Sequence, residues 1–305
     1  MAQDGLLVID KPAGPTSHDV VQRVRKALGM RRVGHGGTLD PDATGVLLVA
    51  AGQATRFFPF LSKENKVYEG RIRLGFATDT YDASGRPVTE TSLDLPGRAD
   101  LTAAMKAFEG EILQTPPRYS AKKIAGKPVY KMARADEPFE LEPVRITVER
   151  FALRDYRPPD LDFEAACSAG TYIRSLAHDL GRRLGCGAHL AVLRRTSVGP
   201  YGLADAVPLA DFEEGAARGE EGRFLLPLER LLPWAPAVTV RPEAEAFVRN
   251  GRSLEPSDLG TPFPDLGRAD AREALARLFS PGGKLIALAR PTPDGTALHP
   301  FLVIA

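Results

Sequence analysis

Asp40 is the residue around which chemistry is most readily built. It stands in the run Gly34-His35-Gly36-Gly37-Thr38-Leu39-Asp40-Pro41-Asp42-Ala43-Thr44-Gly45-Val46, among glycine, proline and small polar residues, and an apolar run from Val46 to Ala51 follows at once. A carboxylate on a tight turn beside a buried strand is held rigidly and stays reachable, which suits a nucleophile or a general base. The competing reading is an Asp-Pro turn whose carboxylate only satisfies backbone N–H groups; on spacing alone the two stand level. A nucleotide loop is not indicated, because GxxxxGK[ST] is absent and no strand–GxGxxG–helix order occurs. The five histidines (His18, His35, His178, His189, His299) show neither HExxH nor paired metal-ligand spacing, and GxSxG is missing. What survives is a carboxylate reaction without metal or cofactor.

The elements that must hold this turn are legible on either side of it. Gly5 to Asp10 reads as a short apolar strand ending at Lys11-Pro12. Pro15-Thr16-Ser17 caps a helix to about Leu28, with Val20, Val21, Val24 and Leu28 on one face and Gly29 at the left-handed position beyond its end. Gly45 to Ala51 reads as a buried strand and Gln53 to Leu61 as a short helix. Lys66 to Gly75 alternates, with Tyr68, Gly70, Ile72 and Leu74 on one face and Lys66, Glu69, Arg71 and Arg73 largely on the other. Asp79 to Gly85 is turn-rich. A helix is expected over Leu101–Phe108, then a long polar, basic stretch from Pro116. Strands are expected at Val144–Leu153, Leu161–Ser168 and His189–Val198, and a helix at Thr171–Leu184 closed by Gly185. Pro227 to Pro233 reads as a last core helix. The tail gives a strand at Val238–Val240, a helix at Pro242–Arg249 and strands at Lys284–Ala289 and Pro300–Ile304.

The chain has 305 residues, enough for two domains and a large core, and an ordinary composition of 43% hydrophobic and 26% charged residues. Its formal net charge is only +1, but the charge is uneven: residues 211–305 are net −3 and the first 210 net +4. The excess sits in Lys11–Gly34, in the acid-free stretch Arg118–Arg134, and in Thr171–Arg195. Basic patches on a near-neutral protein fit a polyanion docked on one face, although any single patch taken alone reads as a solvated helix face. Cys167 and Cys186 lie in apolar stretches outside any CxxC and read as buried free thiols of a reducing compartment. Met1-Ala2-Gln3-Asp4 lacks a signal-peptide layout, and no uncharged apolar run approaches membrane-spanning length, so a cytoplasmic protein is expected.

Five segments carry a resemblance. GHGGTLDPDATGVLLVAAG closely resembles the catalytic motif of the TruB family, the bacterial tRNA pseudouridine-55 synthases. LLVIDKPAGPTSHDVV, KVYEGRIRLGFATDTYDASG, TPPRYSAKKIAGKPVYKMAR and CSAGTYIRSLAHDLGRRLGCGAHLAVLRRTSVG are similar to other family segments, in family order, over most of residues 5–200. Two positions depart from the pattern: Gly36 stands where threonine is frequent, and Asp42 where an apolar residue is common. Asp42 is expected to face solvent.

The resemblance implies an α+β fold: a mixed, largely antiparallel sheet with flanking helices and loops over residues 1–232, with an RNA-binding insertion at about 117–143. A small PUA-like β domain is expected over residues 236–305. It implies isomerisation of a T-loop uridine of tRNA to pseudouridine, with no cofactor and no metal. Asp40 would be the catalytic carboxylate, Arg174 its ion-pair partner that keeps it ionised, and Tyr68 the ring stacked on the flipped base. His35 would help hold the disrupted loop, with Lys11, Tyr172 and Arg194 as further RNA contacts. Lys122, Lys123, Lys127 and Lys131 would meet phosphates. The expected partner is the T-arm of tRNA alone, bound by a monomer with no protein partner and no membrane. A tRNA-folding chaperone, with or without retained catalysis, is the alternative from a different class.

Overall fold

A computed structural model describes residues 4–120, 123, 124, 127–129, 132, 138–264, 266 and 274–304. The chain divides into two compact units: Leu7–Phe224, and Asp4–Leu6 with Leu225–Ala305.

The first unit is built on a ten-stranded sheet. Its strands are β1 (Gly5–Lys11), β2 (Val33–Gly36), β3 (Thr44–Ala51), β4 (Lys66–Leu74), β5 (Gly110–Gln114), β8 (Val144–Arg157), β9 (Asp160–Cys167), β10 (Ala188–Val198), β11 (Tyr201–Gly202) and β12 (Val207–Pro208). Two further short strands, β6 (Lys123–Ile124) and β7 (Lys127–Pro128), pair only with each other. The main order is β12-β1-β3-β10-β4-β9-β8-β5, with β2 on β3 and β11 on β10. Parallel pairing occurs at β1–β12 and β3–β10, and the run from β10 to β5 is antiparallel throughout. Val46 to Ala51 are wholly buried, which explains their continuous apolar run: a strand covered on both faces has no polar alternate positions.

Helices cover this sheet where the sequence is amphipathic. Helix α1 (Ser17–Leu28) starts at a capping box, with Thr16 accepting from the Asp19 N–H and the Asp19 carboxylate accepting from the Thr16 N–H. It buries Val20, Val21 and Val24, and ends where Gly29 turns left-handed at φ 61°. Gln53–Leu61 divides into a 3₁₀ segment (Gly52–Phe57) and a single α turn, α2 (Phe58–Leu61). Helix α3 (Arg98–Lys106) packs on β8. Helix α4 (Ile173–Leu184) packs on β10 through Ile173, Leu176, Ala177 and Leu180, and stops at left-handed Gly185. Helix α5 (Leu209–Ala217) packs on α1.

Several expectations need correction. Gly34–Gly36 lies in β2, a strand not expected from the sequence, paired with β3; a Cβ at Gly34 or Gly36 would lie 3.1 Å from the Phe58 ring. Residues 110–114 form an edge strand that their mixed polarity concealed. Lys66 lies on the Tyr68 side of β4, as alternation by two requires, and is buried rather than wet. Pro227–Pro233 forms only a 3₁₀ turn at Leu228–Arg230, too short between prolines to propagate an α-helix.

The second unit contains a four-stranded sheet: β13 (Ala237–Thr239), β14 (Ala276–Phe279), β15 (Leu285–Pro291) and β16 (Leu298–Val303), in chain order. With the short helix α6 (Glu245–Arg249) it encloses a core of Val238, Val240, Val248, Leu254, Leu278, Ala287 and Leu298. The strand β14 had no counterpart in the sequence reading.

Candidate active site

The turn bearing Asp40 is fastened from beneath. The Ser17 hydroxyl donates to the Leu39 carbonyl (3.0 Å) and accepts from the Leu39 N–H (2.8 Å), so the first residue of α1 fixes the residue before Asp40. The Gly14 N–H donates to the Pro41 carbonyl. Lys11 is fully buried, and its ammonium donates to the carbonyls of Pro12 (2.9 Å), Pro41 (2.8 Å) and Ala43 (2.7 Å). The segment Asp10–Ser17 is thus a clamp on the Asp40 turn. Lys11 has spent all three donors and does not face RNA, which corrects its assignment as an RNA contact. Burial lowers its pKa to about 8, with Asp42 and Asp40 pulling it back up. Lys11→Met keeps the bulk but removes the donor to the part-buried Pro12 carbonyl and to the buried Ala43 carbonyl, the latter at about 1–3 kcal/mol, while the Pro41 carbonyl keeps the Gly14 N–H. The expected result is a melting temperature lower by roughly 5–10 °C and a slower enzyme; thermal melts alongside single-turnover assays check both.

Above the turn, the first helical residues of α4 deliver Arg174. Gln114, at the end of β5, brackets the start of this helix: its side-chain oxygen accepts from the Tyr172 N–H (2.8 Å) and its amide donates to the Tyr172 carbonyl (3.1 Å). The guanidinium is 7% exposed and forks onto Asp40, with Nε to Oδ2 at 2.9 Å and Nη2 to Oδ1 at 3.1 Å. Nη2 also donates to the Tyr119 carbonyl (3.0 Å) and Nη1 to the Thr80 carbonyl (3.3 Å). Nη1 lies 3.5 Å from the Asp82 carboxylate. Arg174 therefore joins four segments that are remote in sequence.

Asp82 was not foreseen. Its loop is held in place: the Thr80 and Ser84 hydroxyls each donate to Asp82 Oδ1 at 2.6 Å, the Ala83 N–H donates to the Leu190 carbonyl, and the Leu190 N–H donates to the Tyr81 carbonyl. The turn-rich run Asp79–Gly85 was the only sequence signal, and it marks a turn without showing where the turn points.

Around the ion pair lies a cleft of about 380 Å³, lined by Gly37–Asp40, Ser62, Lys66, Tyr68, Gly170–Arg174, Leu193 and Arg195. Asp40 keeps 41% of its side chain accessible there, and Asp42 is exposed to solvent as expected. The electrostatic balance differs from the expectation that Arg174 holds the Asp40 pKa down. Burial pushes the Asp40 carboxyl above its ordinary 3.8, Arg174 opposes this, and Asp82 adds to the rise. Tyr68 is 8% exposed and burial raises its phenol pKa, so it stays protonated at neutral pH. Lys66 is buried and its pKa is lowered to about 8; its ammonium donates to the Ser62 and Glu64 carbonyls.

The structure brings Asp40, Tyr68, Arg174 and Tyr172 to one cleft. His35 lies in β2 beside it, neutral because burial and the Arg195 charge lower its pKa, with Nδ1 buried and unpartnered. Arg194 does not line the cleft: it stands on the other face of β10 from Arg195 and pairs with Asp10 at 2.7 Å. Lys127 is exposed in the small β6–β7 pair. Lys122 and Lys131, and the side chain of Lys123, lie outside the described residues. Among the described residues, no group of three His, Cys, Asp or Glu side chains is placed to hold a metal, and no helix is long and apolar enough to cross a membrane.

Comparison with known proteins bears directly on this geometry. The family model described as TruB family pseudouridylate synthase (N terminal domain) matches residues 25–173, and that of the tRNA pseudouridylate synthase B C-terminal domain matches residues 174–233. A tRNA pseudouridine synthase B from Syntrophobacter fumaroxidans is 42% identical over 291 residues, covering 95% of this chain and 94% of the relative. The protein of the same name from Thermobifida fusca is 43% identical over 295 residues, covering 94% of each. Among solved structures, a chain of an H/ACA RNP bound to a substrate RNA containing 2'-deoxyuridine superposes with a TM-score of 0.76 at 28% identity, covering 100% of this chain and 86% of that one. A chain of a Cbf5-Nop10-Gar1 complex gives 0.76 at 29%, covering 99% and 85%.

Proposed function

The chain belongs to the TruB family of pseudouridylate synthases, and on that basis we propose that it converts uridine 55 of the tRNA T-loop to pseudouridine with Asp40 as the essential carboxylate. The reaction breaks the N1–C1′ bond, turns the base and joins C5 to the same C1′; a proton leaves C5 and one is gained at N1, so nothing is added or lost. The observation that carries the reading is the Asp40 carboxylate, forked by Arg174 in an open cleft beside Tyr68. Arg174 aims the carboxylate at whatever enters the cleft. Tyr68 supplies a ring against which an extruded uracil stacks. A cleft of this size admits a base and sugar while its walls limit water, which would otherwise capture the cleaved sugar.

The decisive assay incubates purified protein with unmodified tRNA and no added cofactor, then maps pseudouridine by carbodiimide-stop sequencing. Modification at the T-loop uridine is expected. Binding without modification would support the chaperone reading instead.

The basic insertion supplies grip on the phosphates in this proposal, and residues 236–305 act as a PUA-like RNA-binding domain. Lys122/Lys123→Ala is expected to weaken tRNA binding and to lower the salt slope of log K by about 1–2, leaving the rate at saturating tRNA unchanged. Filter binding across a salt series measures this. The protein works as a cytoplasmic monomer without a protein partner in this scheme, and light scattering of the protein alone and with tRNA tests the stoichiometry.

A further inference from the structure

Arg195 is the largest fully buried side chain in the described molecule, at 1% exposure, and no residue role assigned so far uses it. Among the described residues no carboxylate pairs with it. Its Nε donates to the Val46 carbonyl at 2.7 Å and its Nη2 to the Gly37 carbonyl at 3.0 Å. Tyr68 lies directly across the strand ladder and lines the same cleft, and the guanidinium charge draws its phenol pKa down against the rise that burial imposes. A buried cation with only neutral partners is costly to keep, so its placement calls for a physical account.

The sheet explains how it gets there. Arg195 stands opposite Tyr68 in the β10–β4 ladder and opposite Gly45 in the β10–β3 ladder. A Cβ at Gly45 would lie 2.1 Å from the Arg195 carbonyl oxygen, so only glycine lets β3 approach this closely. Arg195 Nη1 lies 3.5 Å from where a Cβ at Gly37 would sit. One guanidinium thus ties the start of the Asp40 turn to the strand that follows it, with Tyr68 as its direct cross-strand neighbour.

We propose that Arg195 is a positioning residue for pseudouridine formation, fixing the Tyr68 ring and hydroxyl relative to the turn that carries Asp40. This rests on the reading of Asp40 and Tyr68 as the reacting site. Arg195 touches two groups of the machinery at once, whereas Arg174 reaches only the carboxylate side. A lysine keeps the charge but has a single donor head in place of the planar fork, so it cannot span the Gly37 and Val46 carbonyls together and hold the cation beside the phenol.

The test is a double-substitution cycle on the full chain with Arg195→Lys, Tyr68→Phe and the pair, read as single-turnover rate at saturating tRNA and as tRNA affinity. Arg195→Lys is expected to slow the reaction by about tenfold or more, while tRNA affinity changes by less than about twofold. In the Tyr68→Phe background the same substitution is expected to cost less than about threefold, because the group it positions has lost its hydroxyl. Additive effects would overturn the proposal, as would a loss of tRNA affinity with the saturated rate intact, which would make Arg195 an RNA contact. Should Arg195→Lys melt below the assay temperature, Arg195→Gln, which keeps a donor for one carbonyl, carries the same cycle. An additive cycle with Asp40→Asn inactive removes only the role of Arg195; an active Asp40→Asn removes the reading of the site itself.

Discussion

Asp40→Asn is expected to leave a folded protein that binds tRNA with near-parental affinity and forms pseudouridine at least about 10⁴-fold more slowly. The side chains are nearly isosteric, and the amide oxygen still accepts one bond from the Arg174 fork. What is lost is the ionised carboxylate, which every route open to this site requires, whether attack on the sugar, attack on the base or proton abstraction. Release of tritium from C5-labelled tRNA in a single turnover is the measurement, with the dissociation constant taken on the same preparation. A variant working at the parent rate would end the assignment. The same requirement sets the pH dependence of the parent enzyme. The folded-state pKa of Asp40 is raised, so the carboxylate gains its proton at a higher pH than an ordinary aspartate would. The rate therefore falls as the pH drops, with a midpoint above 3.8. Asp82→Asn removes a neighbouring negative charge and is expected to move that midpoint down.

Arg174→Lys is expected to lower the single-turnover rate by about 10²–10³-fold. The fork holds both Asp40 oxygens while the same guanidinium spans Thr80, Tyr119 and Asp82. Lysine offers one ammonium on a flexible stem and can serve one carboxylate or the other, so Asp40 is freed to rotate. Arg174→Met goes further, leaving two carboxylates facing each other without a cation; because Asp40 is partly open to water, the stability cost is about 2 kcal/mol rather than the larger value of a sealed pair. Chemical denaturation separates the cases: Arg174→Lys stays near parental stability while losing rate. Equal loss of rate and of folded fraction in both variants would mean that the arginine serves the fold alone.

Most of the first unit was legible because its signals are local. Thr16 and Gly29 bound α1, Gly185 ends α4, and the buried run Val46–Ala51 announces a doubly covered strand. Asp40 was legible for the same reason, since a turn residue flanked by Gly and Pro is rigid whatever surrounds it. Asp82 and Arg195 were not, because their meaning comes from what they face. Arg194 and Arg195 are consecutive in one strand and necessarily point to opposite faces; nothing in their order says which face holds the cleft. Only the pairing of β10 with β4, which sets Arg195 opposite Tyr68, decides it. Lys11 was misread for a related reason: a lysine beside proline looks solvent-facing until the Asp40 turn closes over its ammonium.

By itself, then, the sequence determined the turn that carries Asp40, the amphipathic helices and the family to which the chain belongs, because these rest on contacts a few residues long and on motifs kept in order. Beyond the Arg174–Asp40 pair that the family resemblance implies, the tertiary structure alone decided which charges meet. It sets the Asp82 carboxylate 3.5 Å from Arg174, and it brings Arg195 to Gly37, 158 positions away. Electrostatics acts through distance in space, and no periodicity of the chain encodes a distance that only strand register and helix packing create.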